Sequence, residues 1–188
     1  MVEYIDETHT YLVDGVIVPS VTQILQKVFP LKYMGIPTEV LNNKARYGTQ
    51  LHNFIEIIET KKPKKPLAYI KRYYDPNIYQ IESIKQYLEL KEKNNIEVIE
   101  VEKLVNYKNY YAGRLDIKAL VNGKKTIIDI KTTAELDKNY VSMQNSLYEL
   151  ADEPVEELYC LWLPKGHIGK LEKLNRVERE ILISLVEN

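Results

Sequence analysis

The sequence predicts an α/β fold in which a central mixed β-sheet is flanked by helices and preceded by an N-terminal β-hairpin. Runs rich in β-branched and apolar residues at Val101–Val105, Tyr111–Val121 and Lys125–Lys131 are typical of strands. Longer segments on either side of these runs repeat their apolar residues with the period of a helix. Helical and strand segments therefore follow one another along the chain, as in a layered domain of mixed class.

Length and composition are those of one globular domain. A chain of 188 residues with 45% apolar and 28% charged residues is long enough to bury a core, so we expect a single domain over residues 1–188. The single cysteine, Cys160, excludes a disulfide framework or a four-cysteine cluster within the chain. No run of 18 apolar residues occurs, so we expect an intracellular protein with no membrane partner.

The N-terminal half is predicted to contain one hairpin and three helices. The hairpin spans Thr10–Val18, and Asp14-Gly15 has the residue types that two-residue hairpin turns prefer. We expect the second helix to be interrupted at Gly48 and ended by the lysine- and proline-rich run Lys61–Pro66. Apolar residues recur with helical spacing in three segments: from the N-cap Ser20 to about Val28, Glu39–Thr60 and Ile78–Asn94.

The C-terminal half is predicted to complete the sheet. Asn122-Gly123 joins two of the strand segments and is the strongest short signal for a β-hairpin. The other elements expected here are a strand at Ile96–Val105, a helix at Asn139–Ala151, strands at Glu156–Leu163 and Ile168–Leu174, and a helix from Asn175 to Val186.

That hairpin is expected to bring two carboxylates and an ammonium group to one face of the sheet. Side chains at i and i+2 of a strand share a face, so Asp129 and Lys131 lie together and Ile130 turns into the core. Asp116 lies on the preceding strand and is brought towards Asp129. Carboxylate oxygens suit Mg²⁺ or Mn²⁺, and a lysine beside the metal can orient or deprotonate a water. The alternative is an ordinary ion pair beside a turn residue.

This arrangement resembles the PD-(D/E)XK nuclease superfamily, in its RecB-like branch. The core of the resemblance is Gly113-Arg114-Leu115-Asp116 followed by Asp129-Ile130-Lys131. The helical run Gly48–His52 resembles the G-x-x-x-H element of that branch, and Gln144–Tyr148 resembles its Q-x-x-x-Y element. The stretch from His9 to Thr22 is similar to the opening of phage-type RecB-like exonucleases.

The resemblance implies a restriction-endonuclease-like core and a metal-dependent DNA exonuclease of phage or prophage type. It implies one or two Mg²⁺ or Mn²⁺ ions, and the lone cysteine excludes the iron–sulfur cluster that some relatives carry. The metal ligands it implies are His52, Glu102, Asp116, Asp129 and the Ile130 carbonyl. The catalytic residues it implies are Asp116, Asp129, Lys131, Gln144 and Tyr148.

DNA is the expected partner, together with a recombination or replication protein, in the cytoplasm of a bacterial or phage-infected cell. Because the net charge is −1, DNA would be held by a local patch, and Lys44–Arg72 carries eight basic and two acidic residues. The residues expected to contact DNA are Arg46, Arg114, Lys61, Lys62, Lys64, Lys65, Gln144 and Tyr148.

Several alternatives stay open. His52 can be a structural core histidine, the lysine run a solvated loop, and Glu102 part of a polar outward face that it shares with Glu100. The whole chain can instead be a structure- or site-specific endonuclease on the same core. A non-catalytic nucleic-acid-binding protein derived from it is disfavoured, because every expected acidic and lysine position is filled. No phosphate-binding G-x-x-x-x-G-K-[ST] motif occurs, so this chain supplies no ATPase motor of that kind.

Overall fold

The computed structural model describes residues 1–32 and 34–187. The first elements are β1 (Val2–Ile5), β2 (Thr10–Val13), β3 (Val16–Val18), α1 (Val21–Val28), α2 (Thr38–Lys61), α3 (Pro66–Tyr73) and α4 (Ile78–Lys93). They are followed by β4 (Ile96–Tyr107), β5 (Tyr111–Val121), β6 (Lys124–Lys131), α5 (Lys138–Ala151), β7 (Glu157–Trp162), β8 (Lys170–Lys173) and α6 (Arg179–Glu187). The α/β class with a mixed central sheet is therefore confirmed.

The central sheet has the strand order β4-β5-β6-β7-β8. Its neighbours are antiparallel except β6 and β7, which run parallel and are connected through α5 across one face. The β5–β6 hairpin turns at Asn122 and Gly123, whose φ angles of 49° and 81° are those of the turn that Asn-Gly favours. This hairpin fixes which residues of β5 and β6 face each other.

Helices cover both faces of this sheet and bury two apolar cores. On one face, α1, α5 and α6 enclose fully buried residues such as Leu25, Leu115 and Leu147. On the other face, α2, α3 and α4 enclose Leu51, Ile84 and residues of β5 and β6. Burial of each such side chain contributes about 1.5–3 kcal/mol. The position of α2 on the sheet is therefore set by an apolar stripe that runs beside its polar residues.

The N-terminal unit is a three-stranded antiparallel sheet in the order β1-β2-β3, so the expected hairpin is confirmed but incomplete. The short strand β1 lacks a turn signal of its own, and it pairs with β2 over four residues. Ser20 and Gln23 form a reciprocal capping box at the start of α1, as the sequence predicted for the N-cap. The backbone N–H of Ala112 donates to the Pro19 carbonyl at 3.0 Å, which ties this unit to the central sheet.

Two expectations about the helices were wrong. The second helix, α2, runs without a break through Gly48, because a single glycine costs about 1 kcal/mol and packing of the long apolar stripe outweighs that. The basic run after α2 is followed by α3, an eight-residue helix with Pro66 at its first turn that the sequence analysis missed.

In the described part of the chain, no helix is long and apolar enough to cross a membrane.

Candidate metal centre

The candidate site lies where strands β5 and β6 separate. Their backbone pairing ends at Ile117 and Ile128, one residue before Asp116 and Asp129 would meet. Beyond that point the backbone N–H of Ile130 donates to Oδ2 of Asp116 at 2.6 Å, so a side chain takes the place of the missing strand partner. The separation opens room for side chains between the strands, and it places both aspartates at the same end of the sheet.

Helix α2 brings His52 to this opening. Nε2 of His52 lies 3.1 Å from the carbonyl oxygen of Ile130, which can only accept a hydrogen bond, so Nε2 carries the proton in the neutral ring. Nδ1 then presents its lone pair to Oδ1 of Asp116 at 3.5 Å and to Oε1 of Glu102 at 4.0 Å. A histidine whose far nitrogen is held by a backbone carbonyl is oriented as metal-binding histidines usually are.

Gly48 lets α2 come close to the end of β6. A Cβ at Gly48 would lie 3.1 Å from the Thr132 hydroxyl oxygen, a distance shorter than ordinary van der Waals contact. Gly48 and His52 are one helical turn apart on the same side of α2. The glycine therefore allows a close approach of α2 to the Thr132 side chain.

His52, Glu102 and Asp116 form the one group of potential metal ligands found among the described residues, with one donor atom from each within 4.8 Å of the others. One imidazole nitrogen and two carboxylate oxygens suit Mn²⁺ and, with added waters, Mg²⁺. The structure thus brings together three of the five ligands that the resemblance implied. Asp129 and the Ile130 carbonyl were also expected to bind the metal, but Asp129 lies outside this group and the carbonyl already faces His52.

Asp129 is the most deeply buried charge of the site. Its side chain is 2% exposed, and Lys131 Nζ lies 2.6 Å from its Oδ2, so the two share a face as their spacing on the strand predicts. Apart from this ion pair, no described residue donates a hydrogen bond to either Asp129 oxygen. Burial and the charge of Asp116 raise the pKa of Asp129 to about 6, although Lys131 works against that rise. A carboxylate with so few donors has free lone pairs for a cation.

Lys131 is held in its charged form. Burial by itself would lower the pKa of the ammonium group, but the carboxylates of Asp129 and Asp116 raise it well above its usual range. An ammonium group with a raised pKa is a poor proton acceptor. Without a metal, this environment therefore favours an ammonium group that can orient a water and offset negative charge.

The backbone of β4 is irregular at Glu102, and this irregularity sets the direction of its side chain. Its φ of 51° is in the left-handed region, which costs a residue with a side chain about 1 kcal/mol or more and is found mostly at functional sites. The expectation that Glu100 and Glu102 share one face is wrong, because Glu100 bonds to Lys103 at 2.8 Å whereas Glu102 turns towards His52. Burial and the nearby Asp116 raise the pKa of Glu102 to about 7, against the effect of Arg114 and His52.

Opposite charges dominate the ionisation of Asp116 and His52. Burial disfavours the charged form of both groups, but the attraction between them outweighs it. The pKa of Asp116 is therefore lowered, with help from Lys131 and the Ile130 N–H, and the pKa of His52 is raised. Without a metal, each of the two groups therefore favours the charged form of the other.

Gln144 and Tyr148 are buried on α5 beside the candidate site. They are 8% and 6% exposed, and the Gln144 amide donates to the Tyr148 hydroxyl at 3.3 Å. Burial, and after it the charges of Asp116 and Asp129, raise the pKa of Tyr148 well above its usual value. The pair was expected to line the substrate groove, and the structure buries it instead because these two positions fall on the inner side of α5.

A cleft of about 1380 Å³ opens over these residues. It lies between the segment after α1, the N-terminal half of α2 and the segment 132–137, and Arg114 and Lys131 line it. Arg114 bonds to Glu102 at 2.8 Å and lies over the ring of Tyr4 at 5.0 Å. Lys44 also lines the cleft, and sequence reasoning noted it only as part of a basic stretch.

The other predicted DNA contacts lie away from this cleft. Arg46 is exposed on α2 but is not part of the cleft wall. The exposed lysines 61, 62, 64 and 65 follow the far end of the same helix. At 1.5 Å per residue, Lys61 is about 14 Å along the axis from His52. The structure thus divides the basic stretch between the cleft and a separate surface.

Comparisons with known proteins do not assign a family. No family model matches the chain, and no curated protein sequence matches it. Among solved structures, the crystal structure of SSO0001 is similar with 20% sequence identity and a TM-score of 0.37, over 87% of this chain and 82% of the other. A similarity at that level does not bear on function, so function has to be argued from the site.

Proposed function

We propose that this protein is a metal-dependent deoxyribonuclease with a PD-(D/E)XK active site of the RecB-like type. The observation that carries the proposal is the convergence of His52, Glu102 and Asp116 beside the buried pair of Asp129 and Lys131. An isolated ion pair would explain Asp129 and Lys131, but it would not explain three further ligand groups at the floor of the same cleft. Hydrolysis of a phosphodiester needs these two components together: a cation site and a fixed positive charge.

Each residue has a separate task in the proposed reaction. His52 Nδ1, Glu102 and Asp116 would hold Mg²⁺ or Mn²⁺, and the buried Asp129 would hold Lys131 beside them. The bound ion would polarise the phosphoryl oxygen and lower the pKa of a water. Lys131 orients that water and offsets the charge that develops on the phosphate.

Arg114 and the buried pair on α5 assist from the two sides of the site. The Arg114 guanidinium lines the cleft, and its geometry suits two hydrogen bonds to a phosphate. Gln144 and Tyr148 keep the wall behind Asp129 closed to water, so charges in the site act in a medium of low polarity. Their contribution is to position the charged residues, since both are buried.

We further propose that the enzyme is an exonuclease that processes phage or prophage DNA with a recombination or replication partner. The likeness of the His9–Thr22 stretch to phage-type exonucleases supports this, and so does the charge of the chain. A net charge of −1 does not favour a protein that embraces duplex along its length, whereas an end can enter a cleft flanked on three sides.

The test is cleavage of end-labelled linear DNA and of the same molecule as a covalently closed circle, with Mn²⁺, Mg²⁺ or EDTA. Metal-dependent loss of the linear form alone supports an exonuclease. Equal rates on both forms would replace it by an endonuclease. Binding without cleavage in either metal would refute catalysis and favour a non-catalytic nucleic-acid-binding protein. Asp116→Asn is the control that excludes a contaminating nuclease.

A further inference from the structure

The stretch from Lys61 to Tyr74 forms a second basic surface, separate from the cleft. It contains six cations and three tyrosines and no acidic residue. The structure exposes all six cations, and none of them forms an ion pair with a residue in the described ranges. Elsewhere lysines such as Lys91, Lys118 and Lys173 are held by carboxylates. We name this surface the α3 platform; it consists of Lys61, Lys62, Lys64, Lys65, Tyr69, Lys71, Arg72, Tyr73 and Tyr74.

The tyrosines of the α3 platform form a connected series that leads from the core to solvent. The Tyr74 ring lies 6.2 Å from that of the buried Phe54, and Tyr69 lies 6.5 Å from Tyr74. Tyr69 in turn lies 4.8 Å from Tyr73, and the Arg72 guanidinium is 5.4 Å from the Tyr73 ring centre. The Tyr73 ring is 58% exposed. An aromatic ring anchored on one side and free on the other offers a face for stacking.

We propose that the α3 platform binds single-stranded nucleic acid, with Tyr73 and Tyr74 stacking on bases and the six cations neutralising phosphates. Aromatic rings set among unpaired cations are the combination by which proteins bind single strands without sequence preference. A duplex would use the cations but not the rings, because its base faces are already stacked on each other. The tyrosines therefore favour an unpaired strand over a duplex.

The position of the α3 platform gives it a role in the proposed reaction, and this part of the inference rests on the proposed function. Lys61 lies about 14 Å along α2 from His52. At about 3.4 Å per stacked nucleotide, Lys61 is about four nucleotides from His52. Tyr74, which packs on Phe54, lies nearer to His52 along α2. A strand held on the platform would thus present a phosphodiester a few nucleotides away to the metal centre, so the substrate class is DNA with a single-stranded segment next to the cleavage point.

The binding test uses the full-length chain in EDTA, so that cleavage cannot interfere, and a fluorescent 20-nucleotide thymidine strand read by anisotropy. Tyr73→Ala should weaken binding by about fivefold or more, the lower end of the loss caused by removing one base–aromatic stack. Tyr73→Phe should retain wild-type affinity, since the ring remains. Tyr110→Ala is the matched control: that tyrosine is 40% exposed beside Lys108, but Lys108 is bonded to Glu187.

The cations are tested by the salt dependence of the same binding. The slope of log affinity against log salt is negative, and replacing Lys71 and Arg72 together by alanine should make it shallower by about 1.4, at about 0.7 per phosphate on a single strand. The control removes two charges elsewhere, Lys124 and Lys173, both of which are bonded to Glu157. This control should leave the slope unchanged.

The outcomes separate the α3 platform from the nuclease. Loss of affinity in Tyr73→Ala and recovery in Tyr73→Phe support the platform whether or not the protein cleaves DNA. Unchanged affinity in Tyr73→Ala refutes it, even where metal-dependent cleavage is intact. If Tyr73→Ala loses as much affinity for a duplex of the same sequence as for the single strand, the proposal is also overturned, because base stacking then makes no contribution of its own. Absence of cleavage with platform binding intact would count against the proposed function only.

Discussion

Replacing Glu102 by glutamine tests whether the buried charge of Glu102, next to Asp116, destabilises the folded chain in the absence of metal. Burial and Asp116 raise the pKa of Glu102 from 4.5 to about 7. A carboxyl group whose pKa is raised by folding is not penalised below pH 4.5, where it is protonated in both the folded and the unfolded chain. The penalty grows as pH rises through the window from 4.5 to 7 and is complete above it.

The size of the effect follows from that window. Each pH unit between the two pKa values corresponds to about 1.4 kcal/mol, so the folded protein should lose about 2–3 kcal/mol between pH 5 and pH 8 through Glu102. Glutamine has nearly the same shape and can still accept a hydrogen bond from Arg114, but it carries no charge. The unfolding free energy of Glu102→Gln minus that of wild type should therefore be about 2–3 kcal/mol larger at pH 8 than at pH 5.

The assay is urea unfolding of both proteins in EDTA at the two pH values, repeated with Mn²⁺. With Mn²⁺, wild type should gain more stability than the variant, since the variant has lost a ligand. Glu100→Gln is the matched control on the same strand, because Glu100 bonds to Lys103 and its loss should bring no gain at pH 8. A difference in unfolding free energy between variant and wild type that is the same at pH 5 and pH 8 would refute a cost of the buried Glu102 charge.

Three further predictions follow from the same geometry. His52→Ala should weaken Mn²⁺ binding in calorimetric titration, whereas a histidine that only packs would change the melting temperature and leave metal affinity intact. Gly113→Ala should lower the unfolding free energy by about 1–3 kcal/mol in denaturant titration, because the new Cβ would lie 2.8 Å from the Tyr148 ring. Single-turnover cleavage should fall by roughly 10²-fold or more, with the circular dichroism spectrum unchanged, in three variants: Asp116→Asn, Asp129→Asn and Lys131→Ala.

The parts of the site that depend on local sequence were predictable. The alternation of side chains along one strand placed Asp129 beside Lys131, and the Asn-Gly turn brought Asp116 to the same end of the sheet. The helical period likewise predicted α2 and put His52 beside its apolar stripe. These are relations between residues a few positions apart, or joined by a two-residue turn, so periodicity is sufficient to find them.

The parts that depend on packing between distant elements were not predictable. The left-handed backbone at Glu102 separates it from Glu100, and no residue type in that strand signals such a conformation. The burial of Gln144 and Tyr148 depends on which side of α5 faces the sheet, and their four-residue spacing leaves that undecided. The helix α3 was missed because a short helix after a proline-rich basic run has too few apolar residues for its period to stand out.

The charges of the site explain why the chain can fold with three carboxylates so close together. Each carboxylate has a cation of its own: Asp129 has Lys131, Glu102 has Arg114, and Asp116 has His52. These partners offset the repulsion between the carboxylates. The three pairs differ in what a metal would change. His52 binds a metal through Nδ1 only when that nitrogen carries no proton, whereas the lysine and the arginine keep their charges and remain available to a phosphate. The same residues that stabilise the folded site can therefore act on the substrate once a metal neutralises the carboxylates.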